Sequence, residues 1–516
     1  MNATTTTLPQ RARRARLTVA ATRSRHASLV AAAPWLLLGA FLAGEIFVAS
    51  RQINGPFLDE GIYVAAGLRT LQGHGISDDY LSWFSGSLLW PAIAALGWKV
   101  WGLAGARAAA AICVTLGLAG TLKAAGNLFG LRVRAATALA ILASGPVIAL
   151  AHLAVYDTLA AACAGGAFWA MTEFLRRDDR AWLCGAALLY ALAGIAKYPV
   201  LVFVGPPLVL LLATMRGGRS KLDLGLFAFI AGAALLIYFL VDRAQLTAFE
   251  SFRVQDNPNF HVSREQILFS QVYLTAVPLV LAATGVMLVG NRRVGLALMS
   301  GVLGAPFYHL VTGNPSGDQK HVVFGLLFML PLIGIVFMRA LEGWRKLIAI
   351  PAIAGLMGFA AVQVVRIDEG WPDLRASAAL LVSKVHPGEK LLANSSWVDA
   401  AYLYSNKRIN SPYDVYDATR VRQLGGVEVC SFGWFIEVPG GEPWTTKIRE
   451  EVKNCGTFKR VYQSSATVTG LGSNLDFVTY SAPVEIWQNT HSATEPVKAL
   501  PAEPPVHRAP ITGPSS

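Results

Sequence analysis

Long apolar stretches separated by short polar ones make up most of the chain. A first run covers residues 28–50, about the length that crosses a bilayer. Others follow at 107–122, 137–151, 158–175, 181–196 and 199–215, then at 222–241, 271–290, 295–312, 322–338 and 347–365. The pattern predicts about eleven spans. They should be helices, because an unpaired backbone amide in hydrocarbon costs several kcal/mol. From about residue 366 the pattern changes. Segments 390–394, 427–438, 458–468 and 477–487 are β-rich with Gly, Pro and Asn turns, and 374–385 reads as a helix. The fold class expected is a polytopic α-helical membrane protein with a small C-terminal α/β domain on the outer side.

Composition agrees with this reading. Of 516 residues, 54% are hydrophobic and only 15% charged, with a mean hydropathy of +0.45. Soluble domains carry roughly 25% charged residues, so the chain lacks the charge to coat several soluble domains. The net charge of +12 does not point to nucleic acid, since the cations lie between apolar runs and act as orientation signals. Residues 1–27 hold six arginines between Arg11 and Arg25 and no acid. The apolar run that follows exceeds the roughly 7–15 residues of a signal-peptide core, so it reads as a retained first span with a cytoplasmic basic N-terminus.

With that end inside, every second connection carries cations: Lys123, Arg132 and Arg134; Arg176, Arg177 and Arg180; Arg216, Arg219 and Lys221; Arg292 and Arg293; Arg339, Arg345 and Lys346. This is the positive-inside pattern. It puts residues 28–365 in the bacterial-type inner membrane, with a long first outer loop at 51–106. The α/β domain, 366–489, then lies outside the cytoplasm. The tail, 490–516, has a disordered composition. Cys430 and Cys455 would face an oxidising compartment. A disulfide and two free thiols both remain open.

Chemistry is sought where polar residues break these rules on the outer face. Asp59 and Glu60 follow Gly55-Pro56 just outside the first span. Ile62, Ala65, Ala66, Leu68 and Leu71 then recur at helical spacing, broken by Arg69 and Gln72, which predicts an amphipathic helix in the membrane surface, with Tyr63 on it. A second such segment, 85–101, carries Trp90, Trp98 and Trp101 as interfacial aromatics, after Trp83. Tyr156 and Asp157 occupy a short outer turn, and Lys197 another. Arg253, Arg264, Lys320 and His321 are further outer cations, and His261 lies in the same loop as Arg253. Each has an ordinary explanation: Asp59 and Asp157 could cap helices, and Lys197 could snorkel to the interface.

The Asp59-Glu60 pair after the first span, the long outer loop, the Tyr156-Asp157 turn and the segment 102–130, opened by Ala106-Arg107, together resemble the GT-C superfamily of membrane glycosyltransferases. Aminoarabinose transferases and protein O-mannosyltransferases are the nearest in pattern. The resemblance implies transfer of a sugar from a polyprenyl-phosphate donor, taken from the bilayer, to an extracytoplasmic acceptor. Asp59 would be the general base, with Glu60 and Asp157 in the catalytic group. Tyr63, Tyr156, Lys197, Arg264, Lys320 and His321 would bind substrate. Departure of a lipid phosphate needs cations of this kind. Glu60 would orient the acceptor or hold a divalent ion, as some relatives use one, although no ligand spacing here demands a metal and no other cofactor is implied. The competing class is a transporter or lipid flippase, which usually shows duplicated halves. No duplicated pattern is present.

Overall fold

The computed structural model describes residues 10–74, 87–243, 263–313, 317–394, 397–417, 428–438, 443–471 and 477–491. The tail beyond 491, Trp83, Arg253 and His261 lie outside these residues. All eleven apolar runs fall in helices. Among the described residues, eight helical stretches are long and apolar enough to cross a membrane, or nine if one bent pair is a single span. The difference from eleven arises where runs join: Val200–Val241 scores as one stretch although it holds two helices, Val200–Arg216 and Ser220–Val241. Arg180–Ala196 is apolar but shorter. The protein is a multi-pass membrane protein.

Six helices frame the end of the bundle nearest the α/β domain. The first, α1 (Gln10–Arg51), leads through Asn54 to α2 (Leu58–Leu71). Next comes α3 (Leu89–Phe129), kinked at Trp101 and Gly102, where Gly102 takes a φ of 58° that an L-residue rarely adopts. The segments α4 (Leu131–Leu142) and α5 (Gly145–Ala151) are bent by 72° at their junction, where Pro146 opens the second. The turn after α5 leads into α6 (Asp157–Arg177).

The first loop differs from expectation. α2 does not lie on the membrane surface: every residue from Glu60 to Arg69 is buried. It is wedged between α3 and a helix of the outer domain, α7 (Trp397–Ser405). Two glycines permit the double contact. A Cβ on Gly67 would stand 1.9 Å from the Pro91 carbonyl oxygen, and one on Gly61 2.6 Å from the Trp397 carbonyl carbon. Arg69, expected to face water, donates to Ser411 Oγ at 3.0 Å and lies 5.0 Å over the Tyr413 ring. Gln72 accepts from the Tyr404 hydroxyl. Likewise Trp90 is fully buried, its indole N–H donating to the Ala154 carbonyl at 3.2 Å, while Trp101 remains half-exposed. Trp98 is also buried and meets Tyr402 of the α/β domain edge-on at 5.0 Å, so protein rather than lipid headgroups covers Trp90 and Trp98.

The outer domain is the expected α/β unit. Its mixed sheet has strands β1 (Leu391–Ala393), β2 (Val415–Asp417), β3 (Trp434–Glu437), β4 (Phe458–Leu471) and β5 (Phe477–Asn489) in the order β2-β1-β3-β5-β4. The first three are parallel, and β5 runs antiparallel to both β3 and β4. Cys430 and Cys455 form a disulfide within it.

Candidate active site

The residues singled out on the outer face converge at the mouth of the bundle. Asp59 sits in the first turn of α2, yet it is not the cap. The helix start is closed by Glu60, whose Oε2 accepts the Phe57 N–H at 2.8 Å. Asp59 instead accepts from Lys320 Nζ at 2.6 Å, and its side chain keeps 27% of its surface accessible. Lys320 belongs to the first turn of Asp318–Ala340, an apolar helix that enters the bundle core. Its ammonium also lies 5.0 Å over the Phe57 ring.

Glu60 points the other way, as adjacent helical positions must. Arg107, on α3, donates Nε to its Oε1 at 2.8 Å and Nη2 to its Oε2 at 2.7 Å. The Ala154 N–H adds a third bond, at 2.8 Å to Oε1. Arg107 also donates to the carbonyls of Asn54 and Gly55 and to Asn54 Oδ1. Both Glu60 oxygens are therefore filled by four N–H groups. That leaves no free lone pair aimed at substrate or metal, and the catalytic and metal-holding roles expected of Glu60 do not fit its geometry. It is the brace of the loop that carries Asp59. Among the described residues, no group of three or more His, Cys, Asp or Glu side chains is arranged to hold a metal ion.

The second carboxylate, Asp157, begins α6 and is fully buried. Its Oδ1 accepts from Lys197 Nζ. Lys197 is only 3% exposed, so it does not snorkel; the ion pair is what makes its burial tolerable. The Lys197 ammonium stands 4.6 Å over the Tyr156 ring, and Tyr156 meets Tyr63 edge-on at 4.6 Å. His321 Nε2 lies 3.9 Å from Asp157 Oδ1, while its Nδ1 pairs with His309 Nε2 at 2.9 Å. His321 Nε2 and Asp157 Oδ2 are buried with no hydrogen-bond partner among the described residues.

Seven of the nine expected site residues thus form one cluster: Asp59, Lys320, His321, Asp157, Lys197, Tyr156 and Tyr63. Glu60 adjoins it as a brace. Arg264 does not join: it is exposed in the first turn of Arg264–Leu288, with no contact to the cluster. A capping box between Ser263 and Gln266 fixes that turn at the outer surface. Two residues escaped the sequence reading, His309 and Arg107 as the partner of Glu60. Both are polar side chains within apolar runs, the signal that marks a buried functional or structural group.

Two solved structures share this architecture over nearly the whole chain. ArnT from Cupriavidus metallidurans in the apo state superposes with a TM-score of 0.59 at 15% identity, covering 88% of this chain and 97% of ArnT. The same protein bound to undecaprenyl phosphate gives 0.60 at 16% identity, covering 90% and 100%. The chain has the fold of ArnT. A mutant of the mycobacterial arabinofuranosyltransferase AftD is also similar, at a TM-score of 0.49 and 15% identity, over 88% of this chain and 42% of that one. The sequence matches no family model and no curated protein.

Proposed function

We propose that the protein is a membrane glycosyltransferase that moves a sugar from a polyprenyl-phosphate donor to a hydroxyl acceptor on the outer face. The observation that carries this reading is the Asp59–Lys320 contact: the one accessible carboxylate of the cluster is held beside buried cations at one end of the apolar helix bundle. The ArnT fold, solved with undecaprenyl phosphate bound, supports the donor class.

Each group has work that suits its place. Asp59 takes the proton of the acceptor hydroxyl, whose oxygen attacks the anomeric carbon. The bond from that carbon to the phosphate oxygen breaks, and its electron pair stays on phosphate. Lys320 and Lys197 face the charge that develops there, and His321 Nε2 offers a further polar contact. One displacement with inversion completes the transfer. Asp157 holds Lys197 in place, and Tyr63 and Tyr156 wall the site. The disulfide in the outer domain and the cationic alternate loops support an N-terminus in the cytoplasm and a site outside it.

The test is transfer from a polyprenyl-phosphate sugar by purified protein in liposomes. Asp59→Asn should lower turnover by at least about 10²-fold, the usual weight of a general base, with abundance and fold unchanged. Near-normal turnover would remove Asp59 from the chemistry.

A further inference from the structure

The turn between α5 and α6 carries Tyr156 and Asp157, and the Ala154 N–H within it bonds Glu60. At its start, His152 is buried between two carboxylates from distant parts of the chain. Its Nδ1 lies 2.9 Å from Asp368 Oδ2, and its Nε2 3.0 Å from Glu45 Oε2. Glu45 is on α1. Asp368 ends the last membrane helix, Lys346–Asp368, where the chain passes into the outer domain. Asp368 Oδ1 also accepts from Asn54 Nδ2 at 3.3 Å, and Asn54 in turn holds Arg107.

Nδ1 is hydrogen-bonded to Asp368, and Nε2 stands at ion-pair distance from Glu45 Oε2, which accepts no aligned hydrogen bond among the described residues. A carboxylate beside each nitrogen favours the ring that carries a proton on both. Resting on the transferase reading above, we infer that His152 is a positioning residue. As a doubly paired imidazolium it clamps the turn bearing Tyr156 and Asp157 to α1 and to the root of the outer domain, and so holds the Asp157–Lys197 pair in register with Asp59. Burial alone would push the His152 pKa down, but hydrogen bonds and charge from Asp368 and Glu45 overturn that and take it up to about 10. Other charged or titratable groups on the elements packed around the turn include Arg51, Glu60, Arg107, Asp157, Asp318, Lys320, His321, Arg366 and Glu369. Of these, Arg107, Asp157, Asp318 and Lys320 are engaged with Glu60, Lys197, Ser270 and Asp59.

The clamp is tested by the pH dependence of transfer in liposomes, with Asp368→Asn and Glu45→Gln each removing one carboxylate and His152→Gln removing the titrating ring. Lys197, whose pKa burial takes down to about 8, sets a first alkaline fall common to all the variants. The further alkaline fall compared between them is that of His152, near pH 10 in the wild type. In either carboxylate variant that further fall should begin at least one pH unit lower, with kcat affected more than the donor KM. His152→Gln should be slower by about tenfold or more at every pH and should lack that limb. Glu45→Gln leaves Asn54 untouched, so it separates the clamp from the Asn54 contact. Transfer with that further alkaline limb unshifted in both carboxylate variants would overturn the clamp and leave the transferase reading standing. Thermal unfolding of the detergent-purified full chain reads the clamp without substrate. A folded-state pKa raised from 6.5 to about 10 stabilises fully below the unfolded value, and that stability disappears as pH rises through about 10. The decline should start lower in the carboxylate variants and be missing in His152→Gln. If it is the same in all four proteins, the clamp is wrong even where no transfer is detected.

Discussion

Lys320 Nζ stands 2.6 Å from Asp59 Oδ2, joining the longest-buried helix of the bundle to the short helix that opens the first outer loop. In the transfer proposed above, the pair sets the base beside a cation that faces the phosphate. Lys320→Met should reduce transfer by at least about 10²-fold, since it removes charge stabilisation at the leaving group. Lys320→Arg should retain more, because it restores the charge but not the shape. Initial rates, with undecaprenyl phosphate binding followed by thermal shift, check this; equal rates for Met and Arg would argue against an electrostatic role.

The two adjacent acids should behave oppositely. Glu60→Gln leaves Arg107 buried with a neutral partner, and breaking a buried pair costs about 3–5 kcal/mol. We expect it to lower the unfolding temperature sharply and to reduce yield. Asp59→Asn also leaves Lys320 facing a neutral group, but Asp59 is partly accessible, so it should cost clearly less stability than Glu60→Gln while abolishing transfer. Unfolding curves of both variants in the same detergent decide the point, and a stable Glu60→Gln protein would contradict the bracing role.

Asp157 and Lys197 are expected to be coupled. Asp157→Ala strands a buried ammonium, so the single variant should lose both stability and activity. Combining Asp157→Ala with Lys197→Met removes both charges, and should recover much of the stability but none of the transfer. A double-mutant cycle on unfolding temperature and turnover measures this. Additive stability losses would mean that the pair is not a unit.

A separate pH effect belongs to the outer domain. Asp399 is fully buried in α7, with neither carboxylate oxygen hydrogen-bonded among the described residues, and burial pushes its pKa up to about 7. Because the folded value lies above the unfolded one, stability is fully present below about pH 4 and falls as pH rises from there to about 7. Asp399→Asn removes that slope. Its unfolding temperature should match wild type near pH 4 and exceed it at pH 8. Parallel wild-type and variant curves across this range would show that Asp399 does not titrate as its surroundings dictate.

Much of this arrangement could be read before any coordinates. A Lys, a His or an Asp at the end of an apolar run stands out against hydrocarbon, and five such residues, Asp59, Asp157, Lys197, Lys320 and His321, do meet. What stayed hidden depends on contacts distant in sequence. Nothing local to α2 says that Trp397, more than three hundred positions later, will cover it, so its apolar spacing suggested lipid. Glu60 looked like half of a catalytic pair because its partner, Arg107, lies within a different helix, α3. Arg264 shares the sign of Lys320 and its expected side of the membrane, but among the described residues it is exposed and makes no ion pair with the cluster, and sidedness carries no information on distance. His309 was open to the same reasoning as His321, one helix earlier.

Gly61 and Gly67 let one short helix touch the bundle on one flank and the outer domain on the other. Asp59 is consequently held in common by both halves, and neither half owns it. Cutting the chain after the last span would strip that helix of half its support. Exchange of outer domains among proteins of this architecture should succeed only when the helix bearing the acid travels with its cover.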